Sequence, residues 1–156
     1  MFEAVEGLID FWFRPSVKVR WFDGDPALDA TLRERFGPLH GRAAAGELDA
    51  LEERPAGSLA LCLLLDQLPR NIFRATPRAF ATDAKARGVA TRAVDRGFDR
   101  RLPEEFRTFL YLPFELIVFF AAAQIPMYTL PVVQRPFCRR LLRRPDNRGA
   151  TVAPGS

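Results

Sequence analysis

The side chains most able to do chemistry are concentrated between positions 66 and 83, a segment we call the polar motif. It holds seven charged or amide side chains in eighteen residues. Arginine binds a carboxylate or phosphate through two parallel hydrogen bonds, and a nearby carboxylate can orient the arginine or transfer a proton. The candidate ligand-binding residues are Asp66, Arg70, Asn71, Arg74 and Asp83 of the motif, with Glu115 further along the chain.

Two interpretations of the polar motif are open. Asp66, Arg70 and Arg74 are spaced by four, so they share a helix face if the helix continues through Pro69. They then form a network that satisfies backbone groups freed by Pro69 and locks two helices together. Alternatively, Arg70 and Arg74 bind an anion in a pocket beside aromatic residues such as Phe73, Phe80 and Tyr111. Burial separates the alternatives, since a network is sealed between helices and a pocket opens to solvent.

Other kinds of site have little support. His40 is the single histidine, so any Ser-His-Asp or Cys-His arrangement must include it. It follows Gly37-Pro38 in a polar stretch, and we expect an exposed loop or helix residue. There is no cysteine–histidine metal spacing and no glycine-rich phosphate loop. We therefore predict neither a metal nor a cofactor.

Helical periodicity dominates the elements that must position the motif. Val5, Leu8, Ile9 and Trp12 recur at the spacing of one helix face. A second helix is predicted to begin at Asp25-Pro26. No segment before residue 115 alternates as a strand does. The chain is predicted to be all-α, built from antiparallel helix pairs with short connections.

Helices around the motif are bounded by similar signals. Ser58 is predicted to cap an apolar helix, 59–68, that Pro69 ends or kinks. Thr82 or Asp83 is predicted to cap the next helix, and Gly97 to end it. A further helix is predicted to open at 103–105, where two carboxylates favour the positive end of the helix dipole.

Composition indicates one domain in a reducing compartment. The chain has 156 residues, 48% of them hydrophobic, and two cysteines, Cys62 and Cys138. Its acidic N-terminus has no secretory pattern, so we expect the cytoplasm. The net charge of +4 comes from the C-terminus, because residues 1–133 hold 17 basic and 18 acidic side chains. Without a basic face in the body of the chain, no specific nucleic-acid partner is expected.

Four blocks of sequence resemble the bacterial family of unknown function numbered 924, over residues 10–115. The blocks are Asp10–Phe13; Trp21-Phe22-Asp23 with Arg35-Phe36-Gly37; Leu63–Arg74 running on to Ala79–Asp83; and Phe109–Glu115. The resemblance implies a compact tetratricopeptide-like helical array and a bacterial cytosolic origin, and it implies no activity. After Pro-Phe-Glu the family pattern resembles His-Ser-Glu, whereas this chain has Leu116-Ile117-Val118.

The segment after Glu115 departs from the pattern of the rest. Leu116–Val133 carries no charge and precedes an arginine-rich stretch, which nominally fits a membrane span. Pro126, Pro131 and the interspersed polar residues argue against a span. The alternatives are a buried helix to Ile125 followed by an irregular tail, or a tail translated out of register. We predict a helical domain over 1–125 and a basic, proline-rich, poorly ordered tail over 126–156.

Two classes of function follow from these residues. The first is a binding module for a small anionic ligand or peptide, using a groove between helix pairs. The second is a small enzyme that acts on an anionic metabolite with carboxylate acid/base chemistry. The first is favoured, because the chain lacks the family's histidine and has no visible nucleophile–base pair.

Overall fold

Helices form all the regular structure in the part of the chain that the structure describes. This computed structural model describes the backbone of residues 2–122 and the side chains of residues 3 and 5–114. The helices are α1 (Phe2–Trp12), α2 (Pro15–Lys18), α3 (Pro26–Ala44), α4 (Pro55–Cys62), α5 (Leu68–Ile72), α6 (Asp83–Asp95) and α7 (Glu104–Ala122). Short 3-10 segments lie at Asp49–Glu53, Pro77–Phe80 and Phe98–Arg101. The prediction of an all-α fold is confirmed, and the tetratricopeptide-like arrangement stays a prediction.

Several helix boundaries follow from the predicted signals. The apolar stripe of α1 is buried, with Leu8 and Trp12 almost fully covered. Asp25 caps α3, because its carboxylate accepts hydrogen bonds from the backbone N–H groups of Ala27 and Leu28. Gly97 follows α6 in the left-handed conformation, with φ of 69°. These signals are local, so each could be read from neighbouring residues.

The core is organised around the segment from Pro55 to Ile72, in which α4 and α5 are joined by a π-helical turn, Leu63–Gln67. The run from Leu59 to Leu65 is completely buried, so this segment is apolar on every side. α3 packs against α5, while α6 and α1 pack against α4. The polar motif therefore begins inside a helical segment that is buried on every side.

One predicted helix start is wrong and another is in the predicted place, and in both cases the hydroxyl bonds to a different partner than a cap would. The helix predicted to begin after a Ser58 cap begins at Pro55, and the Ser58 hydroxyl donates to the Glu52 carbonyl. Thr82 precedes α6 without a side-chain cap bond and donates its hydroxyl to the Leu65 carbonyl. In both cases a carbonyl oxygen from another element accepts the hydrogen bond.

Close backbone contact and an ion pair hold the 3-10 segment Asp49–Glu53 against its neighbours. A Cβ atom placed on Gly57 would lie 2.0 Å from the Leu51 carbonyl oxygen, so only glycine fits there. Glu52 is buried, and its carboxylate accepts from Nε of Arg92 at 2.6 Å and from Nη2 at 2.7 Å. This bidentate pair ties the segment to α6.

Among the described residues no helix is long and apolar enough to cross a membrane. The segment Leu116–Val133, the predicted boundary at residue 125 and the predicted tail over 126–156 fall largely or wholly outside the described residues.

Gly57→Ala should destabilise the protein by about 3 kcal/mol, because the new methyl group meets backbone that cannot move independently. Gly41→Ala is the matched control, since Gly41 is exposed in α3 with open space around it. It should stabilise the protein by about 0.5–1 kcal/mol through its greater helix propensity. Urea denaturation of the two variants measures both effects. Equal effects would contradict the close contact at Gly57.

Candidate functional site

The backbone at the polar motif is shaped by Pro69. The Leu68 N–H donates to the Leu63 carbonyl, five residues back, which is the hydrogen-bond register of a π-helix. Proline has no N–H. Pro69 therefore cannot donate to Leu64, its acceptor in the π register, or to Leu65, its acceptor in the α register, so one backbone hydrogen bond is missing from this turn inside the core.

Side chains from α3, from α5 and from the residue before α6 hydrogen-bond to the carbonyl groups of this turn. Nδ1 of His40 lies 2.9 Å from the Leu64 oxygen, and the Thr82 hydroxyl lies 2.6 Å from the Leu65 oxygen. Nη1 of Arg70 donates to the next carbonyl, that of Asp66. The polar side chains therefore connect α3, α5 and the start of α6 at the π turn.

An ion-pair cluster lies beside these carbonyls. Nη2 of Arg70 is 3.2 Å from Oδ1 of Asp66 and 3.1 Å from Oδ1 of Asp83. Gln67 donates its amide to Oδ2 of Asp66. The Asp66 side chain is 1% exposed and Arg70 21%, so solvent reaches the arginine and not the central carboxylate.

Burial sets the electrostatics of Asp66. Desolvation raises the pKa of this carboxyl, against the opposing effects of the Arg70 charge and the Gln67 hydrogen bond. Oδ1 of Asp66 makes no hydrogen bond of good geometry, so its 3.2 Å approach to Arg70 is an ion pair without a well-aligned hydrogen bond. Removing either partner would leave a charge with poor solvation.

A second cluster forms on the α3 side of the motif around Asp29. Its carboxylate accepts from Nδ2 of Asn71 at 2.9 Å, from Nε of Arg74 at 2.7 Å and from Nη2 of Arg74 at 3.0 Å. This bidentate hydrogen bonding raises the pKa of Arg74. Asp29 is buried, whereas the Arg74 side chain is 45% exposed. Asp29 therefore fixes the direction of an arginine that solvent can reach.

Asp29 is a site residue that the sequence prediction missed. It lies on the buried face of α3 with Leu28 and Leu32. An acid in an apolar stripe signals a buried polar contact. Its partners are 42 and 45 residues away, so the signal identifies the acid and not the arginine or the asparagine.

The six predicted residues do not line one site. Asp66, Arg70 and Asp83 meet on the α6 side, and Asn71 and Arg74 meet Asp29 on the α3 side. The backbone of Glu115 lies in α7, and its side chain is outside the described residues. Asp66 and Asn71 are sealed, as the network interpretation requires, while the outer faces of Arg70 and Arg74 reach solvent. Ligand binding by these residues stays a prediction.

The expectation of an exposed His40 is wrong, because its ring is half-buried in α3 and bonded to Leu64. The ring also contacts Phe73, with centroids 5.5 Å apart. The Arg78 guanidinium lies over the same Phe73 ring at 4.1 Å. Nη2 of Arg33 donates to the Ile72 carbonyl at 2.7 Å, beside Phe73 in the chain. We call Arg33, His40, Phe73 and Arg78 the Phe73 surface.

Among the residues that the structure describes, cysteine and metal chemistry add nothing to the site. Cys62 is fully buried, and desolvation raises the pKa of its thiol well above the ordinary range. Cys138 lies outside the described residues. Within the described part of the chain, no three potential ligand residues are grouped as a metal ion requires.

Residues 8–117 match the family described as bacterial protein of unknown function, numbered 924. The chain belongs to this family. Its fold is similar to the solved structure of a protein of unknown function from Agrobacterium tumefaciens, with a TM-score of 0.69 and 44% sequence identity. The similarity covers 72% of this chain and 64% of the other, so this chain matches less than two thirds of that protein. A comparison with curated proteins finds no match.

Asp66→Ala should lower the free energy of unfolding by about 3 kcal/mol, because Arg70 loses a buried partner. Asp23→Ala is the control, since Asp23 is exposed in the connection between α2 and α3, and its effect should stay within about 0.5 kcal/mol. Urea denaturation monitored by circular dichroism provides the comparison. A loss below about 1 kcal/mol for Asp66→Ala, as for an exposed pair, would contradict the buried network.

Proposed function

We propose that this protein is a binding module for a small anionic ligand, which contacts Arg78, Arg33 and Arg74 around the Phe73 ring. Arginine is the residue suited to carboxylate and phosphate groups, because its planar donors match two oxygens at once. The proposal adds Arg78 and Arg33 to the candidate residues and gives the sealed members of the polar motif a positioning role.

The observation that carries the proposal is that the Arg78 guanidinium lies against an aromatic ring and pairs with no carboxylate among the described residues. Its guanidinium lies 4.1 Å from the Phe73 ring centre and its side chain is exposed. No carboxylate pairs with Arg78 or Arg33 among the described residues. A cation held in place by an aromatic face loses little freedom when an anion binds it. Arg78 is therefore preorganised for a negative group.

Arg74 would supply a further donor to the same ligand. Its Nε and Nη2 atoms are occupied by Asp29, and Nη1 lies on the side of Gly24. Asp29 thus holds the guanidinium in one orientation while nearly half of the side chain remains exposed. An oriented arginine binds an anion at a lower entropic cost than a mobile one.

Binding is better supported than catalysis. Desolvation raises the pKa of Asp66, and carboxyl groups that act as catalytic acids or bases commonly have a raised pKa. This supports the alternative of a small enzyme acting on an anionic metabolite. However, a general acid must come within hydrogen-bonding reach of its substrate, and Asp66 is 1% exposed. Asp66 and Asp83 are instead placed to orient Arg70.

The cytoplasmic location and the tetratricopeptide-like arrangement belong to the same proposal. The family pattern supports both. The antiparallel contacts of α3 with α5 and the π turn, in which Asp29 meets Asn71 and His40 meets Leu64, support the helical arrangement. A groove between such helix pairs also suits a peptide, although the short exposed segment around Phe73 favours a small ligand.

Arg78→Gln should weaken the binding of inorganic pyrophosphate about tenfold or more, because it removes a charged donor pair. Arg101→Gln is the matched control, since Arg101 is exposed and lies over the Phe98 ring at 5.5 Å, outside the Phe73 surface. Isothermal titration calorimetry of the intact chain measures both. Equal weakening by the two substitutions would indicate unspecific charge attraction, and either that result or a lack of binding by the unmodified protein would contradict the proposal.

A further inference from the structure

The tautomer of His40 is determined by its carbonyl partner. Nδ1 lies 2.9 Å from the Leu64 oxygen, which can only accept a hydrogen bond. Nδ1 must therefore carry the hydrogen. In the neutral imidazole the other nitrogen, Nε2, is then an unprotonated acceptor.

Nε2 is available at the Phe73 surface. It makes no hydrogen bond to any described residue, and the ring is only half-buried. The Phe73 ring that His40 contacts also supports the Arg78 guanidinium. An acceptor and a cation therefore adjoin the same aromatic ring, whereas a site that binds an anion by charge alone needs only donors.

We propose that His40 Nε2 accepts a hydrogen bond from the ligand, so that the Phe73 surface selects an anion with a hydroxyl on its charged group, as in hydrogen phosphate. This inference rests on the proposed function, since the arginines supply the attraction for the charge. His40 then distinguishes anions of equal charge and shape. An anion without a hydrogen-bond donor leaves Nε2 unpaired and places an oxygen lone pair against it.

Hydrogen phosphate and sulfate are the matched probes. At about pH 8 both anions carry two negative charges and are tetrahedral, and only hydrogen phosphate has a hydroxyl. Calorimetry of the intact protein should show hydrogen phosphate binding about tenfold more tightly than sulfate. Equal affinities would overturn the role of His40 and leave the anion site intact. Binding of neither anion would overturn both.

His40→Asn isolates the role of Nε2. The Asn amide nitrogen takes the place of Nδ1 and can still donate to the Leu64 carbonyl, while nothing replaces Nε2. The variant should unfold at nearly the same urea concentration as the unmodified protein and bind both anions equally. A retained preference for hydrogen phosphate in a folded His40→Asn variant would overturn the inference.

Nuclear magnetic resonance of the ring gives a second readout that does not need a variant. The chain has one histidine, so all imidazole nitrogen signals belong to His40. The hydrogen should reside on Nδ1, and adding hydrogen phosphate should shift the Nε2 signal while sulfate leaves it nearly unchanged. A hydrogen on Nε2 at about pH 8 would contradict the assigned tautomer.

Discussion

The missing N–H of Pro69 is the constraint on which the rest of the described structure depends. A proline in a helix exposed to solvent leaves carbonyls that water can satisfy, but Leu64 and Leu65 are completely buried. A buried carbonyl without a donor costs about 1–3 kcal/mol. His40 and Thr82, from two other parts of the chain, donate to those oxygens, and the helix continues to Ile72.

The positions of the neighbouring elements follow from these donors. His40 ties the C-terminal half of α3 to the π turn, while Asp29 ties the N-terminal half of α3 to Asn71 and Arg74. Thr82 and Asp83 fix the start of α6 on the opposite side. The same set of contacts leaves Arg74 oriented and Arg78 against Phe73. One network of contacts therefore serves both the packing of the helices and the proposed anion site. π turns are frequently found at functional sites.

Local signals made much of the fold predictable. The stripe of α1, the Asp25 cap and the left-handed Gly97 each depend on residues within one helical turn, and each is confirmed. The path of the chain through Pro69 was harder to predict from the sequence, since proline alone favours ending or kinking a helix. Its continuation depends on donors that lie at His40 and Thr82, far along the sequence.

The candidate site was predictable only as a set of residue types. Spacing of four correctly grouped Asp66 with Arg70, because both lie on one continuous helix segment. The same spacing grouped Arg70 with Arg74, which instead have different carboxylate partners on different helices. Asp29 could be recognised as an acid in an apolar stripe, but a pairing across more than forty residues needs the tertiary fold.

The most direct measurement of the central claim is a double-mutant cycle between Pro69→Ala and Thr82→Val, followed by urea denaturation. Thr82→Val alone should cost about 1–3 kcal/mol, because the Leu65 carbonyl loses its donor. With Ala at position 69 a backbone N–H returns, so the cost of Thr82→Val should fall substantially. An identical cost in both backgrounds would contradict the claim that Thr82 replaces the hydrogen bond that Pro69 cannot make.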